Sequence, residues 1–307
     1  MDPIRLKPAH IQLVLRIAET GKLQAAAELG SISQPAASRI LRDLERDLGV
    51  PLFERTPQGM EPTEAGDAFV RHARTVVSEL DSLKKEVTGL AQGSAGEIRL
   101  GSVTAPAVSI VGPVVDAMRR ESPGLSVTVE VGPSAQMTRG LASGRLDFIL
   151  ARFTPDLDTR NYIAHPAQNE PIALIVRKDH PLAWAKSIPL AKLLDYDWVI
   201  QEPGSPIRGA LEAAFLRNGL PTPKNVVNSS SLLFVQSLLA ASDIIAPQAR
   251  EVANLLCGDA FGANLRQLSV SEEISVTPYF VIRSRVRPLT QASELCFQRV
   301  LSALKAV

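Results

Sequence analysis

The 307 residues are 45% hydrophobic and 21% charged, and 33 basic side chains against 32 acidic ones leave a net charge of +1. Such a chain is an ordinary globular one with room for about two domains, each able to bury a core, and the balance excludes both disorder and indiscriminate binding of polyanions. The opening MDPIRLKPAH lacks the apolar stretch of an export signal and no run approaches the roughly 18 apolar residues of a membrane span, so no membrane association is expected and the cytoplasm is the expected compartment.

In chain order, the first predicted helix covers 8–20, with Ile11, Val14, Leu15 and Ala18 on one face and Gly21 ending it. The second, 23–29, carries Ala25, Ala26 and Ala27, small enough for another helix to cross closely, and Gly30 supplies a left-handed end. Ser33 stands where an N-cap belongs and Pro35 falls in the first turn. A third helix therefore starts at Gln34 and runs to about 47, with Ile40, Leu41, Leu44 and Leu48 as its buried stripe.

Off that stripe lie Gln34, Ser38, Arg39 and Arg42. Amide and guanidinium groups at the start of such a helix are the chemistry that pairs with adenine and guanine edges, and Ser33, Ser38 and the arginines can also hold phosphates. An ordinary solvated helical hairpin would carry polar residues outside as well, so the spacing alone leaves both readings open. The wing-like excursion VPLFERTPQGMEPT follows, with turn chemistry at Pro57-Gln58-Gly59, and there Arg55 and Thr56 could hold phosphate.

The string SQPAASRILRDLERDLGVPLFER closely resembles the DNA-binding signature of LysR-type transcriptional regulators, including the Leu44-Glu45 pair and the Leu-Phe-x-Arg step. RTPQGMEPTEAGDAF is similar to that family's wing and its Thr-x-x-Gly entry into a long helix. The resemblance implies a winged helix-turn-helix over 1–62 whose DNA contacts come from Ser33, Gln34, Pro35, Ser38, Arg39, Arg42, Arg55 and Thr56.

From Thr63 a helix is predicted to about 92, with Phe69, Val76, Leu83 and Leu90 repeating every seven residues and Ala73, Leu80 and Val87 between them. A seam of this kind predicts self-association, packing on the chain's own C-terminal half being the alternative. In the resembled family it is the linker helix of the dimer, which delivers two recognition helices to neighbouring major grooves. Residues 92–97, QGSAGE, read as a domain boundary. Beyond them, strands are predicted at 98–101, 126–131, 148–151, 172–176, 198–201, 225–228 and 243–246. Helices are predicted at 108–120, 136–143, 190–194, 207–218, 232–241 and 289–304. Alternation of this sort predicts a doubly wound α/β architecture. An internal echo, in which ESPGL-strand-loop-helix-ASGRLDFILA is repeated as RNGL-strand-SSS-helix-AASDIIAP, divides 97–307 into two lobes. The first lobe takes about 97–166 and 270–307, the second about 167–269, with 276–282 returning to the first. The resemblance extends here too, to the family's effector domain, which is like periplasmic solute-binding proteins.

A ligand in such a fold lies outside the C-terminal ends of the strands, between lobes. The candidates there are Ser102, Val103, Thr104, Ser134, Phe153, Gly204, Ser205, Ser230 and Pro247, whose hydroxyls and free amides suit carboxylate or polyol groups. Each serine before a helix is equally an N-cap. No catalytic motif, cofactor fingerprint or metal-ligand spacing is present in the sequence; the four histidines are scattered, and Cys257 and Cys296 read as small buried hydrophobes. No cofactor or metal is expected beyond a small-molecule effector. The function implied is a LysR-type activator or repressor, binding an inverted-repeat promoter as a dimer of dimers, contacting RNA polymerase, and controlling a sugar or aromatic-acid operon. A solute-binding sensor with a degenerate N-terminal domain is the alternative.

Overall fold

The computed structural model describes residues 6–91, 96–155, 157–259 and 264–306. Three helices open it: α1 (Pro8–Thr20), α2 (Leu23–Leu29) and α3 (Gln34–Leu48). Their ends fall where the capping chemistry put them. Gly21 turns left-handed with φ 65° and closes on Ile17 O, the Ser33 hydroxyl accepts from Ala36 N, and Gly49 ends α3 with φ 74°. Gly30 is different. It stays right-handed, and the left-handed residue of the turn is Ser31 with φ 54°. Position 30 is therefore not held to glycine by a left-handed backbone; a Cβ there would lie 2.9 Å from the movable end of the Arg16 side chain and 3.3 Å from two carbonyls.

The buried face of α1 is Ile11, Leu13, Val14 and Ile17, whereas Leu15 and Ala18 are half-buried. The expected stripe assumed one neighbour, but α1 is packed by α2 and α3 and also by α4 (Glu64–Ala91), which widens it. For the same reason Ala37, Leu41 and Leu44 are the buried residues of α3, with Ile40 and Leu48 at the margin. Between α3 and α4 the strands β1 (Phe53–Thr56) and β2 (Gly59–Pro62) pair antiparallel as a short wing.

The C-terminal part begins with β3 (Glu97–Ser102) and the short α5 (Thr104–Pro106). A π turn, Ala107–Val111, then leads into α6 (Gly112–Glu121). β4 (Ser126–Val131), α7 (Ser134–Ala142), β5 (Phe148–Ala151), β6 (Tyr162–Pro166) and β7 (Glu170–Arg177) follow. Next come β8 (Trp198–Ile200), α8 (Pro206–Arg217), β9 (Val226–Asn228), α9 (Leu232–Ala241), β10 (Ala246–Ala249) and α10 (Arg250–Cys257). β11 (Leu265–Gln267), β12 (Ser275–Val276), β13 (Phe280–Ser284) and α11 (Gln291–Ala306) complete the chain.

One sheet has the order β4-β3-β5-β13-β6, parallel among β4, β3 and β5 and antiparallel around β13. A second has β7 between β10 and β11, all antiparallel, with β12 also on β7; parallel β8 and β9 join it through a bridge between Trp198 and Ile245. Each sheet has its own apolar core, around Phe148, Val281 and Phe297 in one and around Trp198, Phe215 and Leu174 in the other. The sheets are mixed rather than wholly doubly wound, because the chain crosses between them twice. Five of the elements, α5, β6, α10, β11 and β12, have no counterpart among the predicted ones, and residues 190–195 form a 3₁₀ turn where an α-helix was expected. The strand expected at 243–246 lies at Ala246–Ala249 instead: APQA has no β-branched residue, and its pairing with 172–175 of β7 makes it a strand.

Candidate nucleic-acid interface and inter-lobe cleft

The outer side of α3 is open. Gln34, Pro35, Arg39 and Arg42 are exposed, and Ser38 is half-buried with its hydroxyl 3.4 Å from Arg42 Nη2. The helix packs on α1 and α2, and Arg46 is drawn aside to Asp43 at 3.0 Å. That leaves Arg39 and Arg42 as the cations of this face. Ser33 and Pro35 start the helix; the Ser33 hydroxyl is used as its cap.

On the wing, Arg55 is exposed. Thr56, expected to hold phosphate, is instead spent on the turn: its hydroxyl lies 3.4 Å from Gly59 O and 3.3 Å from Glu61 Oε1 and accepts from Gln58 N. The wing is seated by contacts that leave no room for error. Met60 N donates to Gly21 O at 2.8 Å, and a Cβ on Gly59 (φ 142°) would come within 2.3 Å of that oxygen. Glu45, read in the sequence only as part of a signature, accepts from Leu52 N at 2.7 Å and Phe53 N at 3.2 Å, so it carries the strand that follows α3. The Thr-x-x-Gly step is equally mechanical. Thr63 donates to Pro51 O and caps α4 at Gly66 N, and a Cβ on Gly66 would lie 2.0 Å from Leu52 O.

Along α4 the heptad seam divides. Ala73 and Val70 are buried on the helix-turn-helix body and Phe69 is half-buried, while Val76, Leu80, Leu83 and Val87 are exposed in the single chain. The Leu90 side chain and residues 92–95 of the expected boundary lie outside the described residues. Arg287 reaches from the first lobe toward Glu79 of α4, 3.6 Å, and donates to Leu141 O at 2.7 Å.

Nine cleft residues were expected, and the fold distributes them along the strand ends of both lobes. Ser102, at the end of β3, is fully buried and its hydroxyl donates to Val103 O at 2.8 Å, so it faces inward. Val103 is half-buried and Thr104 exposed at the start of α5. Ser134 accepts from Arg152 N at 3.1 Å, tying α7 to the loop after β5, and Phe153 in that loop lies against Phe280 with ring centres 5.0 Å apart. In the second lobe Gly204 is exposed with φ 87°, Ser205 caps α8 by accepting from Arg208 N, and Ser230 is exposed. Pro247 is buried within β10, opposite Leu174, so it is a strand residue rather than a loop one; as an edge position it spares a donor.

Three groups that sequence reasoning missed hold this region. Arg152 donates from Nε to Thr277 O at 2.9 Å and pairs with Glu170 through Nη2, both side chains withdrawn from solvent. Arg208 donates to Asn228 Oδ1 at 2.6 Å and pairs with Glu212 at 2.7 Å, joining the ends of α8 and β9. Tyr279 is buried; burial, and then the carboxylates of Glu170 and Glu251, push its hydroxyl well above the ordinary tyrosine range, so it stays a neutral phenol. Arg152 and Tyr279 had no local signal, since their partners lie far along the chain, whereas Arg208 and Glu212 are an i,i+4 helix pair that spacing could have flagged. Burial raises both thiols, Cys296 to about 11, so neither is a ready nucleophile. No helix among the described residues is long and apolar enough to cross a membrane.

Comparison with known proteins gives the same two parts. A family described as bacterial regulatory helix-turn-helix protein, lysR family, matches residues 8–67, and one described as LysR substrate binding domain matches 91–305. The HTH-type transcriptional regulator GbpR of Azospirillum brasilense is 33% identical over 303 residues, covering 98% of this chain and 86% of that protein. GbpR of Rhizobium radiobacter is 35% identical over 252 residues, covering 81% and 83%. Full-length CbnR, solved in complex with its target DNA, superposes with a TM-score of 0.66 at 20% identity over 98% of this chain and 99% of that one. A full-length OxyR variant from Pseudomonas aeruginosa gives 0.60 at 19%, covering 98% and 94%.

Proposed function

Because the chain belongs to the LysR family of transcriptional regulators, whose members bind DNA through the helix-turn-helix, take small-molecule effectors and form oligomers, we propose that α3 reads base edges here through Gln34, Arg39 and Arg42. In this reading Ser38 and Arg55 hold phosphates, Ser33 and Pro35 set the start of the helix, and Thr56 shapes the wing tip. The observation that carries it is the open outer side of α3, which offers two exposed arginines and a glutamine beside an exposed wing arginine. The exposed half of the α4 seam supports pairing of two such helices, and a dimer of dimers on an inverted repeat is the assembly proposed.

A gel shift on the promoter region adjoining the gene tests the base readout. Gln34→Ala and Arg39→Ala should each lose about 1–3 kcal/mol of preference for the specific site while retaining weak general binding. A shift unchanged from the parent would falsify the assignment.

The effector proposed is a sugar or an aromatic acid, bound where Thr104, Ser230 and the first turns of α7 and α8 meet the cleft, with Phe153 as an apolar wall. Hydroxyls and helix-start amides in that arrangement suit carboxylate and hydroxyl groups. To switch transcription the effector must favour one arrangement of the lobes by about 1–3 kcal/mol. A thermal-shift screen of sugars, sugar acids and aromatic acids should find a stabilising compound whose effect falls with Thr104→Val and Ser230→Ala. If both variants respond like the parent, the effector binds elsewhere.

A further inference from the structure

The first sheet is five strands wide, but α11 lies over β3 and against α6, toward the middle of the sheet. Ile163 and His165 stand two apart on the edge strand β6, opposite Arg283 and Val281 of β13, so these four side chains share one face. Phe297, Leu301 and Leu304 of α11 stand over that face, and the space left between helix and edge strand is a recess of about 690 Å³. That is the size of a small-metabolite site.

The lining has a marked chemical bias. It presents Arg283, Lys305 and His165, aliphatic and aromatic carbon from Ile163, Phe297 and Leu301, and no carboxylate. Arg283 lies over the Phe297 ring at 5.4 Å, and the His165 ring meets the same phenyl edge-on at 5.8 Å. Three other partly buried arginines have found acceptors, Arg152 on Glu170, Arg208 on Glu212, and Arg287 on Glu79 and Leu141 O, although Arg287 Nη1 is itself sealed without one. The Arg283 side chain has no hydrogen bond or ion pair among the described residues, and its Nε is sealed from solvent without a partner. A guanidinium in that condition has no counter-charge, and an anion entering the recess would meet its two Nη groups, which are not sealed, in a charge-assisted, two-point contact. The surrounding carbon calls for an apolar body on the same molecule.

We propose that this recess is a second small-molecule site, separate from the inter-lobe cleft, which takes a monocarboxylate with an apolar body: the carboxylate on Arg283 and Lys305, the body against Phe297, Leu301 and Ile163.

Calorimetric titration of the full chain with 4-phenylbutyrate and with its neutral amide tests it. The acid should bind and the amide should bind at least about tenfold more weakly. Arg283→Gln should cost the acid a similar factor, Leu301→Trp should fill the recess and abolish binding, and Thr104→Val at the cleft should leave affinity unchanged. Should Arg283→Gln fail to fold, Leu301→Trp and the amide still decide the matter, since neither alters the buried guanidinium. The proposal is overturned if the parent binds no acid at millimolar concentration, if amide and acid bind equally, if Leu301→Trp binds like the parent, or if Thr104→Val is the variant that loses binding.

Discussion

His180 shows how one side chain couples the second lobe to pH. Leu182 N donates to Nδ1 at 3.0 Å and Nε2 lies 3.2 Å from Asp243 O, a pair of contacts that fits only the neutral ring with its proton on Nε2. Burial lowers its pKa from the ordinary value of 6.5, with the Asp243 carboxylate pulling the other way. A depressed value means that the unfolded chain binds the proton more readily. The stability it contributes is therefore present above about pH 6.5 and drains away as pH falls through the lower folded value. Urea unfolding followed by tryptophan fluorescence should show a falling midpoint from pH 7.5 to pH 5, and His180→Asn should flatten that slope. The tautomer of His180 was beyond the reach of sequence, because Asp243 is distant in the chain. Glu45 and Gly66 tell a similar story: the family pattern flagged them, and only the amides of 52 and 53 and the carbonyl of Leu52 say why a carboxylate and a bare Cα are needed.

At the level of elements, legibility tracked locality. The three opening helices and the wing were readable nearly to the residue, since proline, serine and glycine caps act within four positions. β6, β11 and β10 were not, since their strand character is conferred by β13 and β7, neighbours that a window along the chain never contains. The α4 seam was legible as a heptad but not as two halves, of which the first is used internally. Its second half gives a direct test. Leu80→Asp places a charge in the exposed apolar stripe and should yield monomers by light scattering at concentrations where the parent is associated, with helix content retained. A persisting oligomer would assign the contact to another surface. In the effector half, the candidate residues were expected beyond the ends of strands, and most of them do lie there. Ser102 and Pro247 were the exceptions, because exposure depends on which face of the strand end looks outward, and nothing in SVTAP or APQ states that.

For the molecule as a whole, the telling group is Arg152. It joins the loop after β5 to Glu170, where the first passage between sheets enters β7, and to Thr277, where the second leaves β12. Ala167 N also donates to Tyr279 O at 3.0 Å, lacing the two passages together. Arg152→Gln should strand a buried carboxylate at Glu170 and destabilise the C-terminal part by about 3–5 kcal/mol, measured by urea unfolding. Arg152→Gln with Glu170→Gln should recover much of that loss.

Each passage is only three residues long, 167–169 and 277–279, and both are fastened at one spot. Two short tethers pinned together permit twist about a common axle and resist sliding or separation. The effector proposed for the cleft would accordingly act by changing the angle between the lobes, and the side chains that join the first lobe to the rod are Arg287 and Glu79.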